Sequence, residues 1–169
     1  MYNQFSLNWN INMEKGSFKE RMASYVRELV NPMSYYDWVN QNTTIQGMPF
    51  TCDRYPFQKQ ILNDMSQELH CIKPSQIGLT EIQLRKALAY VARNPHRNLI
   101  YTMPDENMRK RVYQNRMLPI LTQDTVFHSL NSAGKKPIRS IEITEINNSQ
   151  MLMFPANEKS ATSQPADVV

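Results

Sequence analysis

Three observations predict an α/β fold for this chain of 169 residues. A short apolar run, Leu69, Cys71 and Ile72, leads through a glycine-bearing loop into a helical repeat. In that repeat Leu84, Ala87, Leu88, Val91 and Ala92 fall at i, i+3, i+4, i+7 and i+8. The alternation then recurs: Asn98-Leu99-Ile100-Tyr101-Thr102-Met103 reads as a buried strand, and Pro104-Asp105-Glu106 opens a second helix. Finally, Ile138, Ile141, Ile143 and Ile146, the turn formers Asn147-Asn148-Ser149 and the apolar run Met151-Leu152-Met153-Phe154 spell a β-hairpin. The expectation is a parallel core of at least two strands plus that hairpin, preceded by helices, with strand order left open.

Bulk composition fits one domain with a real core, at 41% hydrophobic residues. Nineteen Lys and Arg against fifteen Asp and Glu give a net charge of +4, compatible with a phosphate-bearing partner without requiring one. Cys52 and Cys71 have neither metal-site spacing nor the look of a disulfide framework, and no secretory apolar segment stands out. A reducing cytoplasm is therefore expected. No apolar run approaches the roughly 20 residues a membrane-crossing helix needs, so no membrane partner is expected. The eleven methionines read as adaptable core filling, and His70, His96 and His128 lack the spacing of a ligand set.

Residues 1–50 are expected to form an N-terminal arm and helical lead-in. Met1 to Gly16 is amide-rich without periodicity. Ser17 can cap a helix carrying Phe18, Met22, Tyr25, Val26 and Leu29 on one stripe, and Pro32 ends it. A short helix follows around Tyr35, Tyr36, Trp38 and Val39, then a turn at Gln46-Gly47-Met48-Pro49. Such aromatic residues can stack on bases, but without interleaved basic residues an apolar cap over the sheet is the better reading.

Residues 51–169 carry the chemistry. Tyr55-Pro56-Phe57-Gln58 opens a helix with Ile61, Leu62 and Met65. The helix after the second strand turns Met108, Val112, Tyr113 and Met117 inward and Arg109, Lys110, Arg111 and Arg116 outward. That basic face suits a nucleic-acid backbone as well as plain solvent. Leu121 to Lys136 reads as loop, with an exposed turn from Asn131 to Lys136.

The loop Lys73-Pro74-Ser75-Gln76-Ile77-Gly78-Leu79-Thr80 joins apolar run to helix, an arrangement whose free N–H groups and positive dipole converge on an anion. Against the G-x-x-x-x-G-K-[ST] pattern, Gly78 and Thr80 match the last glycine and the hydroxyl. Lys73 stands in place of the first glycine and Leu79 in place of the lysine. The plain alternative is a β-to-α turn capped by a threonine.

The string Lys73-x-x-Gln76-x-Gly78-x-Thr80 resembles the deviant Walker A loop of phage terminase large subunits, the ATPases that drive DNA into viral capsids. The resemblance runs from about Tyr36 to the last residue and departs from many relatives at Ser75 and Pro74. It implies an incomplete P-loop NTPase core of RecA/helicase-like type, with residues 51–169 the N-terminal half of the ATPase domain. Ser75, Gln76, Ile77, Gly78, Leu79 and Thr80 would hold ATP phosphates together with Lys73, and the Thr80 hydroxyl would bind Mg²⁺. Gln58, about fifteen residues upstream of Lys73, would read adenine through its paired donor and acceptor. Arg109, Lys110, Arg111 and Arg116 would face double-stranded DNA. Implied partners are that DNA, the portal, the small terminase subunit and further copies of the chain, in the cytoplasm of an infected host.

Ser160 to Val169 resembles the family's serine-rich approach to its Walker B strand, and that strand is expected just beyond Val169. No catalytic residue is assigned in this chain, and hydrolysis by it alone is not expected. Without that neighbouring strand, the run Leu69–Ile72 is expected to promote self-association. Two other readings stay open: a helicase-like ATPase fragment, and a non-catalytic interaction module that keeps the fold.

Overall fold

The computed structural model describes residues 32–131, 140–156 and Asp167. The expected arm, the Ser17 helix, the turn at 132–136 and nearly all of the serine-rich terminal segment lie outside these residues. The chain divides into one unit ending at Met33 and another from Ser34 to Val169, and the second carries the fold described below.

That unit is mixed α/β. Helix α1 (Tyr35–Asn42) starts at Ser34, whose Oγ accepts from the Asp37 N–H at 3.1 Å. A small antiparallel ribbon follows, β1 (Thr44–Ile45) and β2 (Met48–Pro49), turning at Gln46 and Gly47, both with positive φ. Helix α2 (Phe57–Asn63) precedes the irregular segment 64–78, and α3 (Leu79–Arg93) is the longest described helix. Then come β3 (Asn98–Met103) and α4 (Glu106–Val112), with Asp105 Oδ1 accepting from Met108 N at 2.8 Å. A π-helical turn at Tyr113–Met117 carries α4 into α5 (Leu118–Gln123), where Pro119 sits in the first turn at little cost. Short α6 (Val126–Ser129) precedes β4 (Ile143–Ile146) and β5 (Ser149–Pro155).

The three-stranded sheet has the order β3-β5-β4. β5 pairs in parallel with β3, from Asn98 opposite Gln150 to Met103 opposite Pro155, and antiparallel with β4. The expected hairpin is therefore present, and Asn147 and Asn148 make its two-residue turn with φ of 52° and 60°. β5 is central, which explains its continuous buried run Met151-Leu152-Met153.

Helix α3 organises the core because it is buried on two sides. Leu84, Ala87, Leu88, Val91 and Ala92 join the sheet residues Leu99, Met151 and Met153 in one cluster. Leu79, Ile82 and Ala89 join Val39, Phe50, Cys52 and Leu62 in a second. Trp38 touches both and lies 6.1 Å from Phe127, ring centre to ring centre. The aromatic lead-in thus packs on the domain, and its basic neighbours arrive from elsewhere in sequence: Lys59 covers Tyr36 and Arg93 covers Tyr35, each at 4.6 Å.

Two expectations are corrected. The run Leu69–Ile72 forms no strand: Leu69 is half exposed and Ile72 fully so, with no sheet neighbour to satisfy their backbone. The self-association expected of a strand there loses its basis. Leu121 to Lys136 is not all loop either. Leu121 and Phe127 are fully buried, and burying them against α3 and the sheet stabilises α5 and α6 despite weak local propensity.

Candidate functional site: the loop before α3 and the cleft beside it

The start of α3 is set by backbone conformation. Gly78 caps the helix at φ 73°, ψ 14°, and Gln76 two residues earlier has φ 63°. Glu81 N and Ile82 N donate to Gly78 O at 3.0 and 3.2 Å, which leaves the N–H groups at the very start of the helix for another acceptor. Left-handed backbone directly before a helix can turn successive N–H groups toward an anion.

Gln58 sits against this loop. It is buried at the head of α2 and donates through Nε2 to Ile77 O at 2.6 Å. The same nitrogen lies only 2.9 Å from where a Cβ on residue 78 would stand, so Gln58 and a bare glycine fit each other. The structure brings Gln58 and Gly78 together, with Gln58 spending a donor on the loop. Thr80 is half-buried in the first helical turn and Leu79 is buried beneath it. Lys73, Ser75 and Gln76 are exposed, and Lys73 Nζ donates to the neighbouring Pro74 O at 3.4 Å.

The four basic residues after β3 separate. Arg109 is 4% exposed and tied to Glu106 by two hydrogen bonds of 2.6 and 2.8 Å. It also approaches Glu142 at 3.4 Å, so this guanidinium is engaged inside the fold. Lys110 pairs with Glu106 at 3.4 Å. Arg111 and Arg116, by contrast, face a cleft of about 620 Å³ that also takes in Thr80, Glu81 and Arg85.

Sequence reasoning missed Arg85 and Asp124. Arg85 is 1% exposed, donates to Glu81 Oε1 at 2.7 Å and Thr44 O at 2.9 Å, and stacks over Phe50 at 4.7 Å. Burial lowers its pKa despite the Glu81 carboxylate. Asp124 accepts from Thr44 N and Oγ1 at 2.9 and 2.7 Å, and burial pushes its carboxyl above the ordinary range. The Arg85 position, i+4 from Glu81, was the only signal in the sequence.

Among the described residues no cluster of three or more His, Cys, Asp or Glu could hold a metal, and no helix is long and apolar enough to cross a membrane. No protein-family model, curated protein or solved structure matches the chain.

Proposed function

We propose that the chain is the nucleotide-binding part of a viral DNA-packaging motor ATPase of the terminase large-subunit type. The whole motor would couple ATP hydrolysis to translocation of double-stranded DNA. The observation that carries this reading is the left-handed Gly78 cap, preceded by left-handed Gln76, at the head of a 15-residue helix. Such a start accepts phosphate oxygens on backbone N–H groups, and a side chain at position 78 would collide with Gln58.

A nucleotide polyphosphate fits this cradle. The N–H groups at Gly78, Leu79 and Thr80 would hold it, and the Thr80 hydroxyl would supply one ligand to Mg²⁺, whose role is to neutralise charge on the phosphates. Lys73 would have to exchange its contact with Pro74 O for the phosphates, and Gln58 would have to release Ile77 O to read adenine with both amide atoms. This chain's own contribution is therefore binding and orientation.

One observation favours a second reading, a non-catalytic interaction module on the same fold. The segment before the loop is irregular and exposed where a nucleotide-binding core would hold a strand. Titration with Mg-ATP and Mg-GTP separates the two. Saturable binding weakened by Lys73→Ala and Thr80→Ala, with ATP preferred and the preference lost in Gln58→Ala, supports the motor reading. Absence of binding at millimolar nucleotide supports the module.

A further inference from the structure

The cleft beside Thr80 has a charge balance that the nucleotide reading does not use. Three guanidinium groups, Arg85, Arg111 and Arg116, line it against a single carboxylate, Glu81. They come from two elements, the first half of α3 and the α4–π turn, and Arg116 reaches Glu81 at 2.9 Å across 35 residues of sequence. Glu81 is shared: one oxygen takes Arg85 Nη2 and the other Arg116 Nη1. Arg111 is exposed and has no ion-pair partner among the described residues.

The second observation is in the wall. Arg85 is 1% exposed, yet its Nε and Nη1 find no hydrogen-bond acceptor. An arginine this deep normally has every donor answered, because a desolvated charge without partners is costly. Asp124, whose carboxyl pKa burial raises above the ordinary range, makes no ion pair with it. The cleft therefore carries an excess of positive charge, three guanidinium groups sharing one carboxylate, with buried Arg85 at its back and the exposed Arg111 and Arg116 at its mouth.

We propose that this cleft binds a small polyanion carrying adjacent phosphate groups, with Arg111 and Arg116 as direct ligands and buried Arg85 as the fixed charge behind them. A volume of about 620 Å³ is the size of a small-molecule site. The three guanidinium groups gather around one cleft and do not line an extended face, which favours a compact polyphosphate over a nucleic-acid strand. Guanidinium groups match phosphate oxygens two at a time, which sets the ligand chemistry. Glu81 is the built-in competitor: the anion must draw Arg116 away from it.

Phosphate oxyanions could arrive free or on an oligonucleotide, so the test runs both on the full chain, by calorimetry with inorganic tripolyphosphate and with a single-stranded oligonucleotide of equal phosphate content. The expected result is saturable tripolyphosphate binding, tighter than for the oligonucleotide. It should weaken tenfold or more in Arg111→Gln/Arg116→Gln and tighten in Glu81→Gln, with thermal melting confirming that each variant folds. The tightening is the discriminating sign, because a purely structural Glu81 would give a loss. Lys73→Ala should weaken ATP while leaving the component of tripolyphosphate binding that Arg111→Gln/Arg116→Gln removes, which keeps failure of the nucleotide reading distinct from failure of this one. No saturable binding, indifference to both arginines, weaker binding in Glu81→Gln, or a preference for the oligonucleotide would overturn the proposal.

Discussion

Replacing Gly78 with Ala perturbs the loop at its most constrained point. Residue 78 has φ 73°, where an L side chain costs on the order of 1–2 kcal/mol. The new Cβ would also stand 2.9 Å from Gln58 Nε2, a side chain 5% exposed and held by its bond to Ile77 O. Gln58 must then shift, and weakening that bond forfeits about 1 kcal/mol. The two effects together amount to about 2–3 kcal/mol. For a chain of this size that lowers the melting temperature by roughly 5–10 °C. Urea denaturation of wild type, Gly78→Ala, Gln58→Ala and the double variant is the assay. With Ala at 58 the collision disappears, so Gly78→Ala should then cost only the conformational part, about 1–2 kcal/mol. A Gly78→Ala cost below about 0.5 kcal/mol, within ordinary surface-substitution scatter, would refute the assigned backbone conformation. An equal cost in both backgrounds would refute the contact with Gln58.

Three further outcomes are expected. Phe127→Ala, at a fully buried ring beside Trp38, should cost about 3–5 kcal/mol and alter Trp38 fluorescence; a loss under about 1 kcal/mol would contradict the core assignment. Burial raises the Asp124 pKa, so folding favours its protonated form: its contribution is full below the unfolded value near 3.9 and is lost as pH rises through the folded one. Asp124→Asn should accordingly gain stability relative to wild type as pH rises above about 4, and a flat or opposite trend in melting curves would exclude this. Glu106 is the reverse case, because hydrogen bonds from Arg109 hold its carboxyl below the ordinary range. Its contribution is present above the unfolded value near 4.3 and lost as pH falls through the folded one, so Glu106→Gln should be destabilising at neutral pH and nearly silent in acid.

Much of the architecture was legible because its signals are local or strongly periodic. The α3 repeat placed the helix and its inner face, and the apolar run at Asn98–Met103 matched β3 residue for residue. Asn147-Asn148 marked the hairpin because these residues tolerate the left-handed conformation the turn demands. The strand expected at Leu69–Ile72 carried an equally apolar pattern, but a strand exists only where a neighbour takes its hydrogen bonds, and pattern alone does not supply one. α5 and α6 were missed because Pro119 and the polar residues around Asp124 mask two positions, Leu121 and Phe127, that tertiary burial decides. At the site, a place for Gln58 near the loop was implied by the family resemblance, whereas its residue pattern alone suited a solvated helix position equally well. The split of the basic residues into buried Arg109 and cleft-facing Arg111 and Arg116 depended on the winding of the π turn and the positions of Glu106 and Glu81, which sequence does not display.

The proposed nucleotide site depends on phosphate binding by the N–H groups that open α3. Backbone amide NMR during Mg-ATP titration tests it most directly, since it reports the residues themselves. Saturable shifts should be largest at Gly78, Leu79 and Thr80, with an affinity that falls at least tenfold in Thr80→Ala. Amides at residues 78–80 that stay unmoved at millimolar Mg-ATP, or saturable shifts confined to another face of the domain, would contradict it.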